Sequence, residues 1–402
     1  MRLYPLIVLL TLLVACSQRQ SIVLVNKTSS SFYNQPLVFK RADFNVEKKD
    51  FLIFLDDNEN PIPAQFDDID DDGYWDEVAL ALNFEPSEEL QLVFQIVSER
   101  QLPKFENMTA AHLGYSPGRD GQFNSVDENI RPKNHLAQSL PYLYQYEGPG
   151  WESELVAFRT YFDSRNGKDT FGKTKPQLYA SEIGLKGSYH ELQDWGMDIL
   201  KVGNSLGSGA IAILKNDSIY RLTDTENATF KILTQGPVRT IIALSYEGWK
   251  VADTTYDLKE TIHIWAGKRH YQSELRLSGN GQDTLITGIV NLKGMEAKTV
   301  DGMNSKMLYT HGKQSENKDI LGMGLIVPKD GLIAFSAAPE FGEGVTNTYT
   351  ALLKPVNGVY QYSFYVGWEL ENSKFKEEQG FVNALKSETT LLYNPIEMAT
   401  QF

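Results

Sequence analysis

Short runs in which apolar and polar residues alternate, or in which apolar residues follow one another, recur along this chain. Residues 21–25, 51–55, 77–82 and 90–97 are runs of this kind, separated by polar turns. Four such runs predict strands that pair into a small sandwich ending near residue 105. From about Asn107 to Gly150 periodicity fades, and a loop-rich stretch carries His112, Arg119, Arg131 and His135. A loop of that length inside a compact protein is usually functional or disordered. Strand-like runs then return at 209–214, 238–244, 260–265 and 360–366 and persist to the C-terminus. Asn280-Gly281 and Asn357-Gly358 have the composition of tight hairpin turns. Residues 377–385 form the best amphipathic helix candidate, and no solenoid period is present. The pattern predicts an all-β protein: a large antiparallel β-sandwich, supersandwich-like, over residues 106–402, preceded by a small β-sandwich over 20–105.

Residues 1–16 read differently. Arg2 precedes an apolar run, 6–14, broken only by Thr11, and Leu13-Val14-Ala15-Cys16 follows as a bacterial lipobox. That run is too short to span a bilayer as a helix, so it is expected to be a cleaved signal with Cys16 as the lipidated residue. Cys16 is the only cysteine, so no disulfide forms within the chain. Ser17-Gln18-Arg19-Gln20 lacks an acidic run, which favours the periplasmic face of the outer membrane. The lipid anchor is the only membrane contact expected.

Charge narrows the partners. There are 38 Lys and Arg against 52 Asp and Glu, a net charge of −14, which argues against nucleic acid. An anionic oligosaccharide remains compatible, because a few convergent cations make a local positive pocket on an acidic protein. The 20 Tyr, 20 Phe and 6 Trp suit sugar-binding faces and β-rich cores alike.

Chemistry-bearing residues concentrate between Gly148 and Gly209. If residues 156–163 form a strand, alternation places Ala157, Arg159, Tyr161 and Asp163 on one face. That face is either a catalytic surface or an ordinary solvated one with an Arg–Asp pair. Tyr189 and His190 are proton-transfer candidates, with Asp194 to orient the imidazole or a cation. Lys173 follows a Phe-Gly turn. Trp151 and Trp195 offer stacking faces, and the loop histidines His112 and His135 are rival acid–base or binding groups. No histidine pair has zinc spacing, and no nucleophile elbow, phosphate loop or dinucleotide fingerprint is present. No cofactor requirement is legible except calcium. Asp68, Asp70 and Asp72, followed by Gly73, resemble a calcium loop, yet an EF-hand would need Glu where Ala79 stands. An acidic solvated hairpin explains the same residues.

The segments 148–163, Phe171-Gly172-Lys173, 189–203 and Gly236-Pro237-Val238-Arg239, with the acidic turn 68–77, resemble a family of Bacteroidota lipoproteins. That family has been catalogued as a domain of unknown function and is found among polysaccharide-utilisation enzymes. One branch comprises the oligosaccharide dehydratases of ulvan degradation. The resemblance covers nearly all of the chain beyond Cys16 and implies a sugar substrate. For the dehydratase reaction it implies loss of water across C4 and C5 of a non-reducing-end uronic acid. Arg159 and Lys173 would then neutralise the substrate carboxylate, with His190 or Tyr189 as base and Tyr161 as acid. Asp194 or Asp163 would orient these groups, and Trp151 and Trp195 would stack on sugar rings. A polysaccharide lyase and a non-catalytic glycan-binding lipoprotein are the alternatives.

Overall fold

The structure is a computed structural model that describes residues 19–133, 135, 141–223, 225–279, 283–393 and 396–399. Cys16 and the Asn280-Gly281 turn lie outside the described residues. All the sheets pair antiparallel, as the alternating runs predict.

The N-terminal part is a sandwich of two sheets. One has the order Glu397–Ala399, Arg19–Val25, Glu89–Ser98, Asp50–Leu55; the other has Phe32–Lys40, Glu77–Phe84, Ala64–Asp67. The inward-facing alternate positions supply Leu24, Phe32, Phe54, Val78, Leu80 and Phe94 to its core. Phe44 meets Phe94 edge-on at 5.3 Å, a geometry that adds about 0.5–1.5 kcal/mol beyond area burial. The last strand, Glu397–Ala399, crosses the boundary expected after residue 105: Val23 pairs with Ala399 in the small sandwich.

The larger part is built on a nine-stranded sheet. Its central strands are Arg239–Val251, Thr254–Trp265, His270–Leu277, Tyr360–Trp368 and Ile320–Pro328. Two five-stranded sheets share one core with it, to which Trp151, Phe158, Ile213, Leu285, Tyr271 and Phe364 contribute. The first of these runs Gly196–Asp198, Lys168–Lys173, Val156–Thr160, Gly150–Ser153, Thr109–His112, and it carries most of the candidate chemistry. Inside the shared core, Lys168 Nζ sits 2.5 Å from Glu260 and 2.9 Å from the Tyr362 hydroxyl. A charge buried that deeply is stable only when paired.

The helix expected over 377–385 is longer, Glu378–Tyr393. It packs Phe381 and Leu385 with Tyr365 and Ile326 of the large sheet, while Leu391 enters the small sandwich core. Gly322 and Gly324 of the sheet leave room for it: a Cβ at Gly322 would lie 2.3 Å from the Phe381 ring. The Asn357-Gly358 turn has positive φ at both positions, 52° and 79°, as a type I′ hairpin requires. Arg239 joins the two parts, donating to Asp67 and Glu77 of the small sandwich at 2.7 Å each. Among the described residues no helix is long and apolar enough to cross a membrane.

Candidate active site

Strand register explains why the charged residues meet. Arg159 pairs directly with Asp169, and Phe171 pairs with Ala157 on one side and Asp198 on the other. Directly opposed residues project from the same face of a sheet, so Arg159, Asp169 and Asp198 converge. Arg159 Nη2 donates to Asp169 at 2.7 Å and to Asp198 at 2.8 Å, while Nη1 donates to the Tyr146 carbonyl at 3.0 Å. Its guanidinium also lies 4.9, 5.0 and 5.3 Å from the rings of Tyr161, Phe171 and Tyr189. Cation–π contacts in a desolvated setting contribute about 2 kcal/mol or more.

This face is not solvated. The segment 174–195 folds over it, bringing Ile183, Tyr189 and Trp195 against Ala157 and Phe171. Arg159 is 1% exposed. Two carboxylates already satisfy it, so it is a buried hub and not a group that meets a substrate carboxylate. The Tyr161 hydroxyl donates to Asp169 at 2.6 Å and is likewise buried. Burial first, and the Asp169 charge second, push the Tyr161 phenol well above its ordinary range. Asp169 is itself pushed up to about 6 by burial and by the nearby Asp198 charge.

His190 is the exposed member of the group. Its side chain is 65% exposed, and Nδ1 lies 3.4 Å from Asp198 Oδ2. The hydrogen bond to Asp198 raises the imidazole above its ordinary value, against the opposing effect of burial. The Tyr189 ring stands 4.4 Å from the His190 ring and edge-on to Phe171. Arg159 Nη1 donates to the Tyr189 oxygen at 3.4 Å, which leaves the phenolic proton free to be given elsewhere. Burial raises this phenol too. Arg165, with its side chain 25% exposed, lies 4.1 Å over the Tyr161 ring and pairs with Asp163 and Glu147 at 2.6 and 2.7 Å. The result is a surface imidazole and a half-buried phenol held by a buried Arg–Asp–Tyr lattice.

Several expected roles do not survive this geometry. Lys173 is buried and ion-paired with Glu152, and it donates to the carbonyls of Ser153 and Gln177 at 2.6 and 2.7 Å. No substrate carboxylate reaches it. Trp151 is fully buried between Phe158 and Tyr271, and Trp195 stacks on Tyr179 at 4.9 Å beneath the covering segment. Neither presents a face to a sugar ring. Asp194 is exposed, and its backbone carbonyl accepts from Thr174, while Asp198 is the carboxylate beside His190. Asp163 orients Arg165. His112 is buried, with Nε2 2.9 Å from Gln145, and burial lowers its proton affinity. His135 stands edge-on to Tyr144 at 5.3 Å. Asp169, Tyr146, Glu147 and Arg165 were not singled out from sequence. The signal for Asp169 was its mirror position to Arg159 across the 163–167 turn.

In the acidic turn, Asp68, Asp70 and Asp76 bring carboxylate oxygens within 4.8 Å of one another, so Asp76 takes the place expected for Asp72. Asp72 instead accepts from the Tyr74 amide and faces Lys48 at 3.9 Å. The converging oxygens accept backbone amides, as Asp68 does from Gly73 at 2.8 Å and Asp76 from Ile69 at 2.8 Å.

Comparison with known proteins gives three findings. The family described as "Domain of unknown function (DUF4861)" matches residues 24–398. A protein of Formosa agariphila named "Uncharacterized protein P7" is 25% identical over 271 residues, covering 62% of this chain and 66% of its own length. Two solved structures from Enterococcus faecalis align over 96% of this chain. One is an α-mannosidase, at a TM-score of 0.48 and 8% identity; the other is a protein in glycosyl hydrolase family 38, at 0.49 and 9%. The alignments cover 46% and 47% of those chains. The chain thus spans just under two thirds of the Formosa protein and about half of each solved structure.

Proposed function

The chain belongs to the DUF4861 family, and on that premise we propose that it is a carbohydrate-active enzyme that eliminates water from an oligosaccharide ending in a uronic acid. The observation that carries this reading is the exposed His190 held against Asp198, with the Tyr189 phenol beside it. A glycan-binding surface beside His190 would need stacking faces, and Trp151 and Trp195 are buried there. It does not need an imidazole polarised by a buried carboxylate.

In the proposed reaction His190 removes the proton on C5 of the terminal sugar, next to its carboxylate. The C5–H electrons form the C4–C5 double bond and the C4–O bond breaks. Tyr189 gives its proton to the departing hydroxyl, which leaves as water. Asp198 orients the imidazole and stabilises its protonated form. Arg159, Asp169 and Tyr161 fix Asp198 and Tyr189 and touch no substrate. Arg165 keeps some solvent-facing surface but is already paired with Asp163 and Glu147, so, like Arg159 and Lys173, it is not assigned to the substrate carboxylate. Ulvan-type oligosaccharides are the proposed substrates, through the resemblance set out above. The envelope location, on a lipid anchor at Cys16, is part of the same proposal.

The test is incubation with uronic-acid-ended ulvan, pectic and glycosaminoglycan oligosaccharides, followed by mass spectrometry. Loss of one water with chain length kept supports the dehydratase. Shorter products carrying an unsaturated end identify a lyase that uses the same proton abstraction. No change on any substrate overturns the enzyme reading in favour of glycan binding.

A further inference from the structure

The outer face of the nine-stranded sheet is covered by the helix Glu378–Tyr393 and by the small sandwich, but not completely. Where the strand Phe32–Lys40, the C-terminal half of the helix, and Trp265 and Gln272 of the large sheet meet, a cavity of about 290 Å³ remains. It lies at the small end of the roughly 300–1,000 Å³ typical of small-molecule sites, which suits an occupant of monosaccharide size. It shares no residue with the His190 cluster.

The walls mix apolar and polar groups: Leu37, Leu391 and Trp265 against Gln35, Gln272 and Glu388. Unpartnered buried polar atoms gather at this corner. Gln35 is 5% exposed, and its Oε1 has no hydrogen-bond partner. Its orientation is fixed, because Nε2 donates to the carbonyls of Pro36 and Leu391 at 3.2 and 3.3 Å, so the acceptor is the atom left over. One layer deeper, both ring nitrogens of His270 lack partners, and Nδ1 stands 3.6 Å from Glu388, too far for a hydrogen bond. Lys268 lies 2.9 Å from Glu388, so the carboxylate already has its counter-charge. Native interiors rarely leave several polar atoms without partners in one place. A charged ligand would find no free counter-ion here, and a purely apolar one would leave the acceptors unpaired.

We propose that this cavity binds a small neutral polyhydroxyl compound, a monosaccharide or a polyol of similar size. Its hydroxyls pair with Gln35, Gln272 and Glu388, and its C–H face lies on Trp265. The inference is independent of the reaction proposed at His190.

Saturation-transfer NMR and thermal melts of the full chain with methyl glucoside, xylose, sorbitol and glycerol test it, with glucuronate as the charged comparison. The expected result is saturable binding of a neutral probe that raises the melting temperature. Binding should persist in His190→Ala and weaken about tenfold or more in Gln272→Leu, the effect of losing one buried hydrogen bond. Gln35→Met serves as a second variant with the same expectation. Preference for ring sugars over sorbitol identifies a monosaccharide, and the reverse identifies a polyol. Absence of saturable binding, preference for glucuronate, or unchanged affinity in both cavity variants overturns the proposal.

Discussion

One oxygen of Asp198 serves two partners at once: Oδ2 accepts from Arg159 Nη2 at 2.8 Å and faces His190 Nδ1 at 3.4 Å. The guanidinium pins the carboxylate, and the pinned carboxylate raises the imidazole above its ordinary 6.5. A base with a raised pKa is protonated, and idle, until pH exceeds that value. Turnover is therefore expected to rise with pH along a limb centred above 6.5. In Asp198→Asn the imidazole loses its charged partner, so the limb should move to lower pH. A pH–rate profile of both proteins checks the sign.

His190→Ala should lower kcat by about 10²–10⁴-fold, the usual range for a proton-transfer group. Because the side chain is largely exposed, the melting temperature should stay unchanged. Turnover unaffected by the change would remove His190 from the mechanism.

Arg159→Met tests the hub. It leaves Asp169 and Asp198 buried without their cation, and breaking a buried pair in this way typically costs about 3–5 kcal/mol. Urea unfolding should show that loss. An Arg159 that instead bound substrate would lose activity with stability intact.

Lys168→Met removes the partner of Glu260 inside the main core, with the same expected loss of about 3–5 kcal/mol. Lys168→Met combined with Glu260→Leu should recover most of it, since no buried charge then remains unpaired. Denaturant midpoints of the single and double variants give the comparison.

Gly196→Ala targets the strand that carries Asp198. Its φ is 139°, and a Cβ there would fall 1.8 Å from the Gly172 carbonyl oxygen. The strained backbone alone accounts for about 1–3 kcal/mol. Both the melting temperature and turnover should fall, because the strand cannot seat Asp198 beside Arg159.

The all-β architecture was legible because period-2 alternation is local: the runs at 90–97 and 360–366 became strands Glu89–Ser98 and Tyr360–Trp368. The grouping of Arg159, Tyr161, Tyr189 and His190 was legible for a similar reason, since all fall within one stretch of chain. Burial was not. Alternation says that Arg159 and Tyr161 share a face, but the cover over that face is the irregular segment 174–195, which has no periodicity to read. Lys173, Trp151 and Trp195 were misjudged for the same cause, because pairing with Glu152 and Tyr179 or enclosure by Tyr271 depends on distant register. Asp194 is nearer to His190 in sequence than Asp198, yet the strand Gly196–Asp198 makes Asp198 the one that faces it.

The pairing of Val23 with Ala399 has a consequence for how the protein comes into being. Synthesis delivers the strand Arg19–Val25 among the first residues described and Glu397–Ala399 among the last. The first sheet of the small sandwich is therefore incomplete, with one edge open, until residues 397–399 have been made. Leu391 enters the same core equally late. The small sandwich thus closes its first sheet only after the strands of the large one have been made.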